Sequence, residues 1–151
     1  MYDFIYYEVR DVVTENPVTI GPDKPLSDAA DIFSRHDFNG LPVVAPEGKL
    51  MGMLTKLDIL KAFAFDQSRM VPPYDEIMDR AVESVMTEDP EFVDLETPLT
   101  RVLGDMIKSR YKSLPVVDED KKVVGMIARE DILLALNRAA NGLQPERMAA
   151  N

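Results

Sequence analysis

The chain has 151 residues, with 27 acidic and 17 basic side chains, one histidine, no cysteine and no tryptophan. The missing cysteines exclude disulfides, thiol nucleophiles, thiolate zinc sites and iron–sulfur clusters, and the lone His36 excludes any site built on two imidazoles. A net charge of −10 disfavours nucleic acid and anionic membranes as partners, while 46% hydrophobic content predicts a folded globular chain.

Residues 1–8 carry early acids and no apolar core of signal-peptide length, and no apolar run approaches the ~18–20 residues of a membrane span. A cytoplasmic chain without membrane contact is therefore expected. At Thr14-Glu15-Asn16-Pro17 the proline fixes its own φ and pushes the preceding residue toward extended geometry, which predicts a strand edge or turn. Pro25-Leu26-Ser27 opens a helix whose apolar residues Leu26, Ala29, Ala30 and Phe33 recur at helical spacing. His36, late in that helix between Arg35 and Asp37, reads as a surface residue able to respond to pH. Leu41-Pro42-Val43-Val44, the turn Glu47-Gly48-Lys49 and Leu50-Met51-Gly52-Met53-Leu54 predict a β-hairpin. Neither run alternates, so both strands should be buried, with Met51 and Met53 in the core. A second helix is expected from Asp58 to about Phe65, and a linker containing Pro72-Pro73 leads to a short helix from Tyr74.

The same series then recurs. Thr87-Glu88-Asp89-Pro90 matches the first turn, and Pro98-Leu99-Thr100 opens a helix with Leu99, Val102, Leu103 and Met106 on one face. Leu114-Pro115-Val116-Val117, the turn Asp118-Glu119-Asp120-Lys121 and Val123-Val124-Gly125-Met126-Ile127 give a second hairpin, with Met126 in its core. A last helix runs from Asp131 to about Ala139, and the tail from Asn141 should fray. Shifted by 73 positions, residues 9–60 lie on residues 82–133 without a gap, and 17 of 52 positions are identical. The charge divides with the repeat: 12 acidic and 7 basic groups in residues 1–75, 15 and 10 in residues 76–151. The organisation read from this is a first copy over residues 8–66, a linker over 67–80, a second copy over 81–139 and a tail over 140–151. The expected fold is α+β, two β-α-β-β-α repeats packed sheet to sheet about a pseudo-two-fold axis.

These residues carry a resemblance. Val9-Arg10-Asp11-Val12-Val13-Thr14 with Pro17, Leu41-Pro42-Val43-Val44 and Gly52-Met53-Leu54-Thr55-Lys56-Leu57-Asp58-Ile59-Leu60 are similar to a CBS (cystathionine β-synthase) domain. Val85-Met86-Thr87 with Pro90, Leu114-Pro115-Val116-Val117-Asp118 and Gly125-Met126-Ile127-Ala128-Arg129-Glu130-Asp131-Ile132-Leu133 resemble a second one. The resemblance implies a tandem pair, or Bateman module. Such a module is regulatory and energy-sensing rather than enzymatic, requires no cofactor or metal, and binds an adenosyl ligand such as AMP, ADP, ATP or S-adenosylmethionine. It also implies a homodimer and an effector protein that reads the bound state. A structural or oligomerisation module with empty clefts is the alternative.

Carried over by motif, the resemblance implies two clefts. One would use Thr55, Lys56 and Asp58 with Thr87, Phe92, Tyr111 and Lys112. The other would use Arg129 and Asp131 with Thr14, Thr19, Phe38 and Asn39. A carboxylate at a helix start accepts ribose hydroxyl protons, and helix-terminal N–H groups favour phosphate. Thr55 becomes Ala128 in the second copy, which removes a hydroxyl, while Asn39 becomes Lys112, which adds a cation. The first cleft is therefore the one expected to take a phosphorylated ligand. Phe92, in place of Thr19, either stacks on the base or fills the pocket.

Plainer readings stand beside these. Helix capping alone accounts for Asp58 and Asp131. Lys108, Arg110 and Lys112 are either a solvated helix end, favoured by the helix dipole, or a phosphate contact. Asp118-Glu119-Asp120 lacks the spacing and glycine of an EF-hand and reads as a hairpin turn. No Gly-x-Ser-x-Gly, dinucleotide glycine fingerprint or P-loop lysine is present to support catalysis.

Overall fold

The structure, a computed structural model, describes residues 2–64, 73–109 and 111–149. The first repeat contains β1 (Thr14–Glu15), α1 (Leu26–Arg35), β2 (Gly40–Val44), β3 (Leu50–Thr55) and α2 (Lys56–Ala62), followed by the short α3 (Tyr74–Met78). The second contains β4 (Thr87–Glu88), β5 (Val93–Asp94), α4 (Leu99–Ser109), β6 (Ser113–Val117), β7 (Val123–Ala128) and α5 (Arg129–Ala140), followed by α6 (Glu146–Ala149). Two β-α-β-β-α repeats are present in an α+β chain with two sheets.

Each hairpin keeps the repeat register. Leu41 faces Leu54 across β2 and β3, Leu114 faces Ile127 across β6 and β7, and both pairs shift register at the second valine of Leu-Pro-Val-Val. Val93 pairs in parallel with Val116, and its counterpart Ile20 makes a single parallel bridge to Val43. The Thr-x-x-Pro strands, however, are exchanged. β1 of the first repeat pairs with β7 of the second, Thr14 opposite Met126, and β4 of the second pairs with β3 of the first, Thr87 opposite Met53.

The chain consequently divides into two compact units that cut across the sequence repeats. Unit 1 is Met1–Pro17 with Glu91–Asn151, and unit 2 is Val18–Pro90. Glycine permits the exchange. A Cβ on Gly52 would stand 2.7 Å from the Thr87 carbonyl oxygen, and one on Gly125 would stand 2.8 Å from that of Thr14 and 2.4 Å from Val13 Cγ2.

Unit 2 has its own core of Ile20, Leu26, Ala29, Phe33, Leu41, Val43, Leu54, Ile77, Met78 and Val82. The core of unit 1 includes Tyr7, Val9, Leu99, Val102, Met106, Leu114, Val116, Ile127 and Ile132. The helical spacing read from the sequence thus buries the expected residues of α1 and α4, except that Ala30 and Leu103 are only partly buried.

Several expectations change. α2 and α5 begin at Lys56 and Arg129, two residues before the aspartates, because residues 55 and 128 occupy the N-cap position. α2 closes at Ala62; Phe65 and the linker as far as Pro72 lie outside the described residues, as does Arg110. Met53 is buried, but Met51 and Met126 are only half-buried, since β7 alternates between buried and half-buried positions. Asn16 and Asp89 are not extended before their prolines: φ is 52° and 46°, a left-handed turn these side chains tolerate.

Over its described residues, 141–149, the tail does not fray either. Gly142, at φ 75°, turns the chain so that Leu143 N–H donates to the Arg138 carbonyl at 3.0 Å, and Tyr7 Oη donates to the Leu143 carbonyl at 2.9 Å. α6 then brings Arg147 onto Asp11. The turn at Asp118 is a hairpin turn held by its own side chain, with Oδ1 accepting from the Asp120 and Lys122 amides at 2.9 and 3.0 Å.

Candidate functional site

In unit 2 the candidate residues gather where β3 runs into α2. Thr55 caps the helix: its Oγ1 accepts from the Asp58 amide at 3.2 Å and donates to Asp58 Oδ2 at 3.0 Å. The same carboxylate oxygen accepts the Thr55 amide at 2.9 Å, which completes a reciprocal capping box and satisfies two N–H groups the helix start would leave unpaired. Asp58 is therefore the third residue of the helix rather than its cap, and it is one of two polar side chains in the buried set of the described residues. Thr87 is exposed on β4, alongside the strand that ends at Thr55. Lys56 is exposed with its Nζ 5.8 Å from the centre of the Phe33 ring.

Phe38 and Asn39 lead into β2, whose first residue, Gly40, pairs with Thr55, so they approach the same end of the sheet. His36 is exposed and stacks on Phe38, ring centroids 4.8 Å apart and planes within 17°. Thr19 precedes Ile20 at the bridge to Val43.

In unit 1 the matching place is where β7 enters α5. Ala128 has no hydroxyl, so only half of the box forms: Asp131 Oδ2 accepts the Ala128 amide at 2.7 Å. Burial raises the Asp131 pKa above its ordinary value of 3.8, the Ala128 hydrogen bond opposes that shift, and the neighbouring Glu130 adds to it. Thr14 stands on β1 next to this strand, opposite Met126.

Arg129 is tied to the segment before β6. Its amide donates to the Lys112 carbonyl at 3.1 Å and its Nε to the Tyr111 carbonyl at 3.0 Å. Phe92 is exposed, with Lys121 Nζ 5.4 Å above its ring. The units thus bring Thr55, Lys56, Asp58 and Thr87 together, and likewise Thr14, Arg129 and Asp131. Thr19, Phe38 and Asn39 belong to unit 2; Phe92, Tyr111 and Lys112 belong to unit 1, the last two beside Arg129.

The Asp131 shift has a consequence for stability. An aspartate whose folded pKa is raised binds its proton more tightly when folded, so ionisation removes stability as pH climbs from the unfolded value through the folded one. Asp131→Asn keeps an oxygen for the Ala128 amide and removes the half-buried charge. At neutral pH its ligand-free Tm should equal or exceed that of the unaltered chain. A lower Tm by thermal denaturation would show that the charge itself supports the fold.

A duplicated α+β chain with a carboxylate at each hairpin-to-helix junction, next to an exchanged strand, defines a paired module. The CBS domain family model matches residues 9–65 and 82–138, and the chain belongs to that family as a pair of CBS domains. L-aspartate semialdehyde sulfurtransferase of Methanocaldococcus jannaschii is 32% identical over 124 residues, which are 82% of this chain and 22% of that protein's length. The chain therefore spans less than a quarter of that relative. The CBS domain pair of protein MJ0100, solved in complex with 5′-methylthioadenosine and S-adenosyl-L-methionine, is 30% identical with a TM-score of 0.73, over 89% of this chain and 98% of that one. CBSX2, solved in complex with AMP, has a TM-score of 0.76 over 89% of this chain and 98% of that one, but at 24% identity it shows the fold alone.

Proposed function

We propose that the chain is a regulatory module that binds an adenosyl ligand, AMP, ADP, ATP or S-adenosylmethionine, and passes the bound state to an effector protein. The observation that carries this reading is the buried Asp58 carboxylate, held by Thr55 at the end of β3, the strand that pairs with Thr87 of the exchanged strand at Met53. The resemblance to a CBS pair solved with two adenosyl compounds supports the choice of ligand class.

Asp58 and Asp131 accept the ribose hydroxyls, each with lone pairs left over after its capping bonds. The Thr55 half-site, with Lys56 beside it, takes a phosphorylated ligand. The Ala128 half-site takes an adenosyl compound through Asp131, and its affinity falls on acidification at a pH above the ordinary aspartate value, as the raised carboxylate is protonated. No bond is made or broken in the ligand. The work of signalling comes from differential affinity, because a ligand that binds two arrangements equally shifts neither.

A homodimer working in the cytoplasm is part of the proposal. Leu60 on α2 and Leu133 on α5 occupy equivalent positions of the two repeats and are 66% and 64% exposed, apolar area suited to a second copy. The same faces support the second reading, an oligomerisation module without ligand. Thermal denaturation separates the two. A ligand present at about 100 times its Kd should stabilise the chain by roughly 2.7 kcal/mol. If the Tm of a stable dimer ignores AMP, ADP, ATP and S-adenosylmethionine at millimolar concentration, the oligomerisation reading stands instead.

A further inference from the structure

Unit 1 carries an ionic clasp that has no counterpart among the described residues of the other repeat. Arg147, on α6, donates from Nε to Asp11 Oδ1 and Oδ2 at 2.9 and 3.2 Å, and from its guanidinium to the Tyr6 carbonyl. Its Nη2 also lies 3.8 Å from Glu8 Oε1. The Asp11 side chain is only 5% exposed, and its Oδ2 accepts the Glu8 amide at 2.7 Å as well. A carboxylate this shielded, met by a guanidinium, makes charge-assisted hydrogen bonds that water screens far less than at an open surface. Together with the Tyr7–Leu143 hydrogen bond, the clasp straps the tail onto the N-terminal segment and encloses a half-open cavity of about 440 Å³.

What the clasp holds matters for the site. Asp11 ends a single 3₁₀ turn, Val9–Asp11, after which Val12 and Val13 both donate to the Val9 carbonyl, at 3.1 and 2.9 Å. Val13 packs over Gly125, and the next residue is Thr14, on the strand beside the Asp131 junction. Two residues of tightly turned backbone, Val12 and Val13, therefore separate the clasped carboxylate from a candidate ligand residue. In the other repeat the position of Asp11 is taken by Ser84, whose hydroxyl donates only to the local Ala81 carbonyl.

Resting on the adenosyl-binding reading above, we propose that Arg147 is a positioning residue for the unit 1 half-site, fixing the entry of β1 and hence Thr14 through Asp11. The test uses the full chain and its Arg147→Gln and Arg147→Lys variants, with amide hydrogen exchange read at Thr14 and Glu15 and at the internal reference Thr87 and Glu88. Affinity for S-adenosylmethionine is read in the same samples from ligand protection of the Asp131 and Asp58 amides.

Arg147→Gln should speed exchange at Thr14 and Glu15 but not at Thr87 and Glu88, and weaken protection at Asp131 about fivefold while leaving Asp58 unchanged. Arg147→Lys, which keeps the charge but loses the fork, should fall between the two. Unaltered exchange at Thr14, or faster exchange without loss of affinity at Asp131, would overturn the positioning role. If the unaltered chain shows no protection by any adenosyl ligand, the functional reading itself falls, whatever the exchange at Thr14.

Discussion

Replacing Asp58 by alanine is expected to remove most of the affinity of the Thr55 half-site for an adenosyl ligand and to lower the Tm of the ligand-free chain. Two effects combine. The carboxylate accepts the Thr55 amide and hydroxyl, so its loss leaves a part-buried N–H and O–H to find water. A broken cap of this kind costs about 1–2 kcal/mol, a fall of roughly 2–8 °C for a chain of this length. The carboxylate would also accept ribose hydroxyls, and two hydrogen bonds to a charged group lost together amount to about 2–4 kcal/mol, or roughly 30- to 1,000-fold in Kd. The effects separate in Asp58→Asn, which retains an oxygen for the cap but not the charge. Its Tm should return most of the way while affinity remains low. Affinity recovering along with the Tm would reduce Asp58 to a helix cap, the plainer reading of its position.

The second large effect is on the exchanged strands. Gly125→Ala places a methyl 2.8 Å from the Thr14 carbonyl oxygen and 2.4 Å from Val13 Cγ2, and a ladder carbonyl cannot withdraw without giving up its pairing. The expected cost is about 1–3 kcal/mol, a fall in Tm of roughly 2–12 °C, with a parallel loss of ligand affinity in unit 1 because Thr14 moves. Gly104 gives the opposite sign. It lies on the exposed side of α4, where an added Cβ would meet nothing within 4 Å, so Gly104→Ala should stabilise by about 0.5–1 kcal/mol. Thermal denaturation of both variants checks the pair. A Gly125→Ala chain that melts with the unaltered one would mean that the strands are not packed as described.

The features legible from the residues were those with a local cause. Leu-Pro-Val-Val, a turn and a second apolar run specify a hairpin wherever they occur, and both hairpins hold the same register and the same bulge. The starts of α1 and α4 fall where the sequence puts them, while those of α2 and α5 come two residues earlier than expected. Thr55 and Asp58 together spell a capping box, but Ala128 breaks that spelling in the second copy and hides the shared geometry. Partner choice between β1 and β4 was not legible, because either strand suits either hairpin by composition. Glycine stands at the close approach in both hairpins, Gly52 and Gly125, so it permits the pairing without choosing between the strands. The clasp was hidden for a related reason: Arg147 and Asp11 are 136 positions apart, and a polar tail carries no periodicity to announce that one of its side chains meets a buried carboxylate. β5 is two residues long, too short to leave a pattern.

Isothermal titration calorimetry of the unaltered chain with AMP, ADP, ATP and S-adenosylmethionine tests the central claim most directly. The account predicts saturable binding of at least one of them with a Kd below about 1 mM, at one or two sites per chain, weakened in Asp58→Asn or Asp131→Asn. Absence of binding heat from all four at millimolar concentration, or binding indifferent to both substitutions, would contradict it.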